Sequence, residues 1–152
     1  MPLPIPIWNQ ATTAILDALN ADGSPAAAYR ARFAAVASSE SAFNAIPHKI
    51  DCRYDCANDS AKIDFHVVIR IYVAAIDEVD LAFDPMIWWA WTQIRQDPTL
   101  GQLVEDAYVD NIEIGYLDKS ANDQVCADMT IRVEVEVDRN NPAVNKTYGA
   151  QL

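Results

Sequence analysis

Two long alternating segments with a tryptophan-rich stretch between them predict an α+β fold: a single, mostly antiparallel four-stranded sheet with helices packed on one face. Ala61, Ile63, Phe65, Val67, Ile69, Ile71 and Val73 are all apolar and occupy every second position. Lys62, Asp64, His66, Arg70 and Tyr72 fill the positions between, with Val68 the single break. Val125–Val137 repeats the pattern, its odd positions apolar and its even ones Cys126, Asp128, Thr130, Arg132, Glu134 and Glu136. Strand side chains point to opposite faces in turn, so each segment has one dry and one wet face. Both runs are about twice the usual strand length of about 5–6 residues. Between them, Asp84-Pro85 opens a helix carrying Trp88, Trp89 and Trp91, because proline is best tolerated in the first helical turn.

The remaining elements follow in order. Pro2, Pro4 and Pro6 alternate with Leu3, Ile5 and Ile7, which makes residues 1–8 an extended, donor-poor arm. A helix is expected over Asn9–Asn20, ended by Gly23. Ser24-Pro25 reads as a cap followed by proline, so a second helix is expected to about Ala37. Ile46, His48, Ile50, Cys52, Tyr54 and Cys56 alternate as the first strand of the sheet, joined by the turn 57–60 to the second in an antiparallel hairpin. The Trp-bearing helix reaches about Gln96, and Asp97-Pro98 starts a short helix to about Asp106 after a sharp corner. Val109–Leu117 is the third strand and Val125–Val137 the fourth, the loop 118–123 making a second hairpin. Residues 140–152 read as a C-terminal tail, and 1–152 as a single domain.

The chain has 152 residues, 22 Asp and Glu against 11 Lys and Arg, and a formal net charge of -11. Such a balance argues against holding a phosphate backbone, which needs clustered cations. It permits a surface past which DNA moves without sticking. The first residues carry no basic group and no uninterrupted apolar run, so no signal peptide is expected, and no stretch approaches the about 18 apolar residues of a membrane helix. Cys52 and Cys56 lie four apart on one strand, about 13 Å from each other, too far for a disulfide; with Cys126 they read as reduced thiols.

Catalytic chemistry has little support, so no catalytic residue, metal ligand or cofactor is assigned. His48 and His66 are the only histidines, each inside a strand pattern, and Cys52 is too far along its strand from His48 for a direct hydrogen bond. No second Cys pair completes a metal site around Cys52 and Cys56. The four glycines are isolated, so no phosphate loop forms. Carboxylates interleave with Lys and Arg along the wet strand faces, as cross-strand ion pairs do. On the Trp-rich helix, Ile87, Trp91 and Ile94 share a face while Trp88 and Trp89 point elsewhere. Either all the tryptophans are core, or Trp88 or Trp89 anchors a subunit interface. Acidic charge, long walls, an apolar arm and surplus tryptophan together indicate self-assembly and not an enzyme.

From about Ile46 to Asp138 the chain resembles the tail terminator proteins of long-tailed bacteriophages. The likeness lies in order and texture: a leading helix, then a hairpin whose second strand is Ala61–Val73. An acidic loop precedes the helix with Met86-Ile-Trp-Trp-Ala-Trp91, followed by the segment Asp97–Val104 and a closing hairpin ending Ala127–Val135. The resemblance implies a structural virion protein, assembled in the bacterial host cytoplasm and located at the head-proximal end of the tail. It implies a homohexameric ring that caps the tail tube, stops its polymerisation and forms the head–tail joining surface. Its partners would be further copies of itself, the tail tube protein and a head–tail connector protein. DNA would pass through without specific binding, and no membrane would be involved. On this resemblance Arg70, Trp88, Trp89 and Arg95 are candidate subunit-interface residues. Asn58, Asp59, Asp118, Lys119 and Asp123 are candidate tube- or lumen-facing loop residues. The arm, the second N-terminal helix and the tail lie outside the likeness. Another head-closure or connector protein fits the same texture, and a small α+β enzyme or ligand-binding domain would need polar groups converging around His66 or His48.

Overall fold

A computed structural model describes residues 3–31, 40–54, 59–74, 78–116 and 125–147. The elements in chain order are α1 (Ile7–Leu19), β1 (Ala27–Arg30), β2 (Ala42–Arg53), β3 (Ser60–Tyr72), α2 (Val79–Ala82), α3 (Asp84–Gln96), β4 (Asp106–Tyr116), β5 (Val125–Asp138) and β6 (Asn141–Asn145). The sheet corrects the expectation of four mostly antiparallel strands. It is six-stranded and mixed, ordered β1-β2-β3-β5-β4 with β6 on β5, and it curls into a half-barrel. The parallel pair is β1 with β2, in register Ala27–Ala42 to Arg30–Ala45.

The two long alternating runs are the centre of this sheet. β3 and β5 pair antiparallel without interruption from Ser60–Asp138 to Tyr72–Cys126. Ile63, Phe65, Val67, Ile69 and Ile71 on β3, and Met129, Ile131, Val133, Val135 and Val137 on β5, are all buried. Onto this face α1 lays Ile7, Ala11, Ile15 and Leu19, at helical spacing. From α3 come Met86, Ala90 and Ile94, with Phe83 just before the helix, in the same core. Each large aliphatic or aromatic side chain fully buried here contributes about 1.5–3 kcal/mol of apolar transfer free energy.

Both strands flanking this centre are bulged, at one level of the sheet. β2 shifts register between Pro47, opposite Val67, and Lys49, opposite His66. β4 shifts between Val109, opposite Ile131, and Asn111, opposite Thr130. Val67 and Ile131 are themselves partners, so the extra residues His48 and Asp110 flank a single rung. Bulges bend a strand and increase its twist, and two at one level crease the sheet there. A proline can stand at Pro47 because bulges tolerate a missing donor. The bulge also splits the expected single face of β2: Ile46 shares a rung with Val68 on the open side, whereas Ile50 and Cys52 partner Phe65 and Ile63 on the helix side.

Three further expectations are corrected. The helix expected from Ser24-Pro25 to Ala37 is strand β1 in its described part; residues 32–39 lie outside the described residues. Asn20 holds β1 as a strand neighbour would, its amide accepting from Ala28 N (2.9 Å) and donating to Ala28 O (3.1 Å). Ser24 does not cap a helix; its hydroxyl donates to Ala26 O at 2.7 Å and closes a tight bend. The helix expected after Pro98 is a turn, with Leu100, Gly101 and Gln102 all at positive φ (50, 72 and 64°). Asp97 organises it by accepting from Gly101 N at 2.8 Å and Thr99 Oγ1 at 3.2 Å. Lastly, residues expected as a tail form β6, held by Lys146 N donating to Glu136 O (2.8 Å) and Asn145 Nδ2 donating to Leu103 O (2.6 Å). The arm is extended over residues 3–6, and α1 begins directly after Pro6, whose φ of -59° and ψ of 153° are those of polyproline II.

Candidate functional site

The expected interface residues fall on different sides of the molecule. On α3, the stripe Met86, Ala90, Ile94 faces the core, which turns Asp84, Trp88, Trp91 and Arg95, at spacings of four, three and four, onto the outer flank. Trp88 is 74% exposed and Trp91 45%. Trp88 and Arg95 therefore share a stripe, and Trp91, expected beside Ile87 and Ile94, shares it as well. Asp84, Pro85, Ile87, Trp88 and Trp91 line an apolar groove of about 680 Å³, and Leu81 on α2 is also exposed, at 56%. Arg95, at the far end of the stripe, turns back to β4, its Nη1 3.4 Å from Ala107 O and 3.5 Å from Asp106.

Trp89 points to the opposite flank and packs inside the chain. Its indole Nε1 donates to Leu19 O at 3.0 Å, and its ring lies over Gly23, whose φ of +92° suits glycine. Trp89 thus joins α3 to the end of α1. Arg70 lies on the far side of the sheet from both tryptophans, on the face that no helix covers among the described residues. There its Nε and Nη2 donate to the two carboxylate oxygens of Asp128, at 2.8 and 2.9 Å, a bidentate pair. That hydrogen bond to Asp128 raises the pKa of Arg70 further above the ordinary guanidinium value.

The open face is built from rungs across β2, β3, β5 and β4. Asn44, Arg70, Asp128 and Glu113 form one, Ile46, Val68, Thr130 and Asn111 the next, and Lys49, His66, Arg132 and Tyr108 a third. Arg132 donates from Nη2 to Asp64 at 3.2 Å, while its Nε is enclosed without a hydrogen-bond partner. Lys49 lies 3.5 Å from Asp51, and Lys146 3.5 Å from Asp138. Burial, and then the charge of Glu134, pushes the Tyr108 phenol up; burial, and then Asp128, pushes up the Cys126 thiol. The Asn140 backbone N–H donating to Asp138 holds that carboxyl below its usual range.

A depression of about 270 Å³ on this face is lined by Ile46, His48, Val68, Arg70, Glu113, Asp128 and Thr130. It is the place where polar groups gather near His48. Its cation and one of its carboxylates are already bound to each other, and its floor is the Ile46–Val68 pair. Among the described residues, no group of three or more His, Cys, Asp or Glu side chains is placed to hold a metal ion. Among them too, no helix is long and apolar enough to cross a membrane.

Of the expected tube- or lumen-facing residues, Asn58, Asp118, Lys119 and Asp123 lie outside the described residues. Asp59 is exposed at the entry to β3, with φ 55°, and its carbonyl accepts from Arg139 N at 2.7 Å. Arg139 also donates to Tyr54 O at 3.0 Å and stacks over the Tyr54 ring at 5.7 Å. It ties Tyr54, just after β2, and Asp59, just before β3, to the β5–β6 turn. Helical phase was the signal that could have placed Trp91: the small residue Ala90 between Met86 and Ile94 marks the close-packed stripe. No protein-family model matches the chain, and no curated protein matches it significantly.

Proposed function

We propose that this chain is a structural, self-assembling protein of a long-tailed bacteriophage. It acts as the tail terminator, whose ring caps the tail tube, stops its polymerisation and offers the surface for head joining. The observation that carries the assembly role is the outer flank of α3, where the exposed Trp88 and Trp91 line a groove with Pro85 and Ile87. Large aromatic anchors of this kind are what subunit interfaces bury. The phage assignment rests on the order helix, hairpin, Trp-bearing helix, hairpin in the resemblance, an order that α1, β2–β3, α3 and β4–β5 follow when β1, α2 and β6 are set aside.

Mechanism on this proposal is geometric. A closed ring needs two different patches per subunit meeting head to tail. The net charge of -11 suits a ring through which DNA moves without being held. Light scattering over a concentration series, with negative-stain images, tests the proposal. Rings with a central hole, together with capping of purified tail tubes, are the expected outcome. A chain that neither forms rings nor caps tubes sinks it and favours another head–tail connector.

A further inference from the structure

We infer that the groove on α3 receives the proline-rich arm of a second copy of this chain. The inference rests on the self-assembly proposed above, not on the phage assignment.

Arm and groove are unfinished surfaces of matching chemistry. Leu3 is 89% exposed and Ile5 62%, although both are large and apolar. Alternating prolines preset the arm as polyproline II and strip it of N–H donors. Gln10 Nε2 fixes its base by donating to Ile5 O at 2.7 Å. Proline-rich segments in this conformation dock in aromatic-lined grooves because little ordering entropy remains to be lost. The groove offers Trp88, Trp91 and Pro85 for that purpose.

The occupant is another copy for two reasons. First, a chain does not fill its own groove. Trp89 holds the Leu19 end of α1, so the arm leaves from the other end of a 13-residue helix, about 18 Å away. Trp88 and Trp91 face the flank of α3 turned from that contact. Residues 3–6 extend only about 12 Å as polyproline II, and Leu3 stands free in solvent. Second, copies with a net charge of -11 repel each other, and residues 1–16 contain no charged side chain at all. The arm is the part of the chain that can approach an acidic neighbour without like-charge cost. Arm into groove is a head-to-tail contact, which propagates from copy to copy.

The test uses the full chain in two single variants, Ile5→Asp and Trp88→Asp, weighed by light scattering alone and mixed. One has a dead arm with an intact groove, the other the reverse. Each alone is expected to associate at least about tenfold more weakly than the parent, the loss of one apolar anchor. Mixed one to one they are expected to form pairs and nothing larger. In parallel, the amidated heptapeptide of residues 1–7, which lacks tryptophan, is titrated against the parent chain. A blue shift in tryptophan emission that Trp88→Ala abolishes is expected. Rings that form normally from Ile5→Asp overturn the arm contact and leave the assembly proposal standing. Peptide binding by a chain that never forms rings does the reverse. Equal binding of an unrelated alternating proline peptide also overturns the inference, since the groove would then serve a foreign partner.

Discussion

The open face of the sheet and the outer flank of α3 both meet solvent, and they are built on opposite rules. On the sheet, polar side chains pair within the chain, Arg70 with Asp128, Arg132 through Nη2 with Asp64, and Tyr108 with Glu134, while Arg132 Nε stays enclosed without a partner. These side chains shield each other so well that Arg70 and Asp128 keep only 35% and 31% of their surface. On α3 the large groups are apolar, and neighbours in the chain leave about three quarters of Trp88 in water (74%). A face whose groups satisfy one another gains little by meeting a partner, because desolvating paired charges is costly. A face of unshielded tryptophan gains a great deal. The difference, more than the number of tryptophans, supports placing the proposed assembly surface on α3.

Substitutions tell the two surfaces apart. Phe65→Ala, in the core beneath both surfaces, should destabilise by about 3–5 kcal/mol in urea denaturation and weaken assembly only through loss of fold. Arg70→Ala should cost about 1–2 kcal/mol, at the low end because water still reaches both partners. A double-mutant cycle with Asp128→Ala should show most of that loss as coupling, with ring formation unchanged. Trp88→Ala should move stability by no more than about 0.5 kcal/mol while association falls. If Arg70→Ala abolishes assembly and Trp88→Ala leaves it intact, the two surfaces have exchanged roles.

Conditions separate them as well. Salt screens the ion pairs of the open face, yet it also screens the mutual repulsion of acidic copies. Raising sodium chloride should therefore strengthen association measured by light scattering; weakening would mean that charge pairs form the interface. The smallest effect concerns Asp138, whose pKa is lowered mainly by the Asn140 N–H. A depressed carboxyl stabilises the fold above its unfolded pKa of about 3.9 and loses that contribution as pH falls through the folded value. Asp138→Asn should remove that part of the acid sensitivity in a pH series of melts, with no effect on ring formation near neutrality.

How far the fold could be read from residues depended on whether the local pattern was also the global one. β3 and β5 lie at the centre with one face buried along their whole length, so their alternation gave near-correct limits and faces. α3 was placed with the same bounds because Asp84-Pro85 and the core stripe agree. Alanines 26–28 carry little preference of their own; parallel pairing with β2 on one side and the amide of Asn20, eight residues from Ala28, on the other make Ala27–Arg30 a strand. No pattern within residues 24–37 contains that fact. Pro98 signals a helix start, but three consecutive residues with positive φ follow it. β6 has almost no hydrophobic signature and exists because β5 extends beyond the end of β4 and leaves a ladder to fill. Trp88 was legible as surplus aromatic mass; that it stands outside while Trp89 is tied down required the phase of α3 against the core.

The paired bulges also govern which changes in chain length the protein can survive. Along β3 or β5, inserting or deleting one residue reverses the facing of everything beyond it and turns half the core outward. At His48 and Asp110 the sheet has already absorbed an odd residue, because Pro47 and Lys49 face the successive residues Val67 and His66, and Val109 and Asn111 face Ile131 and Thr130. Removing His48 would straighten β2 and leave Lys49 opposite His66 and Ile50 opposite Phe65, with their facing unchanged. These two positions are therefore slack in the reading frame of the fold: a one-residue deletion there spares the facing that the same change along β3 or β5 reverses.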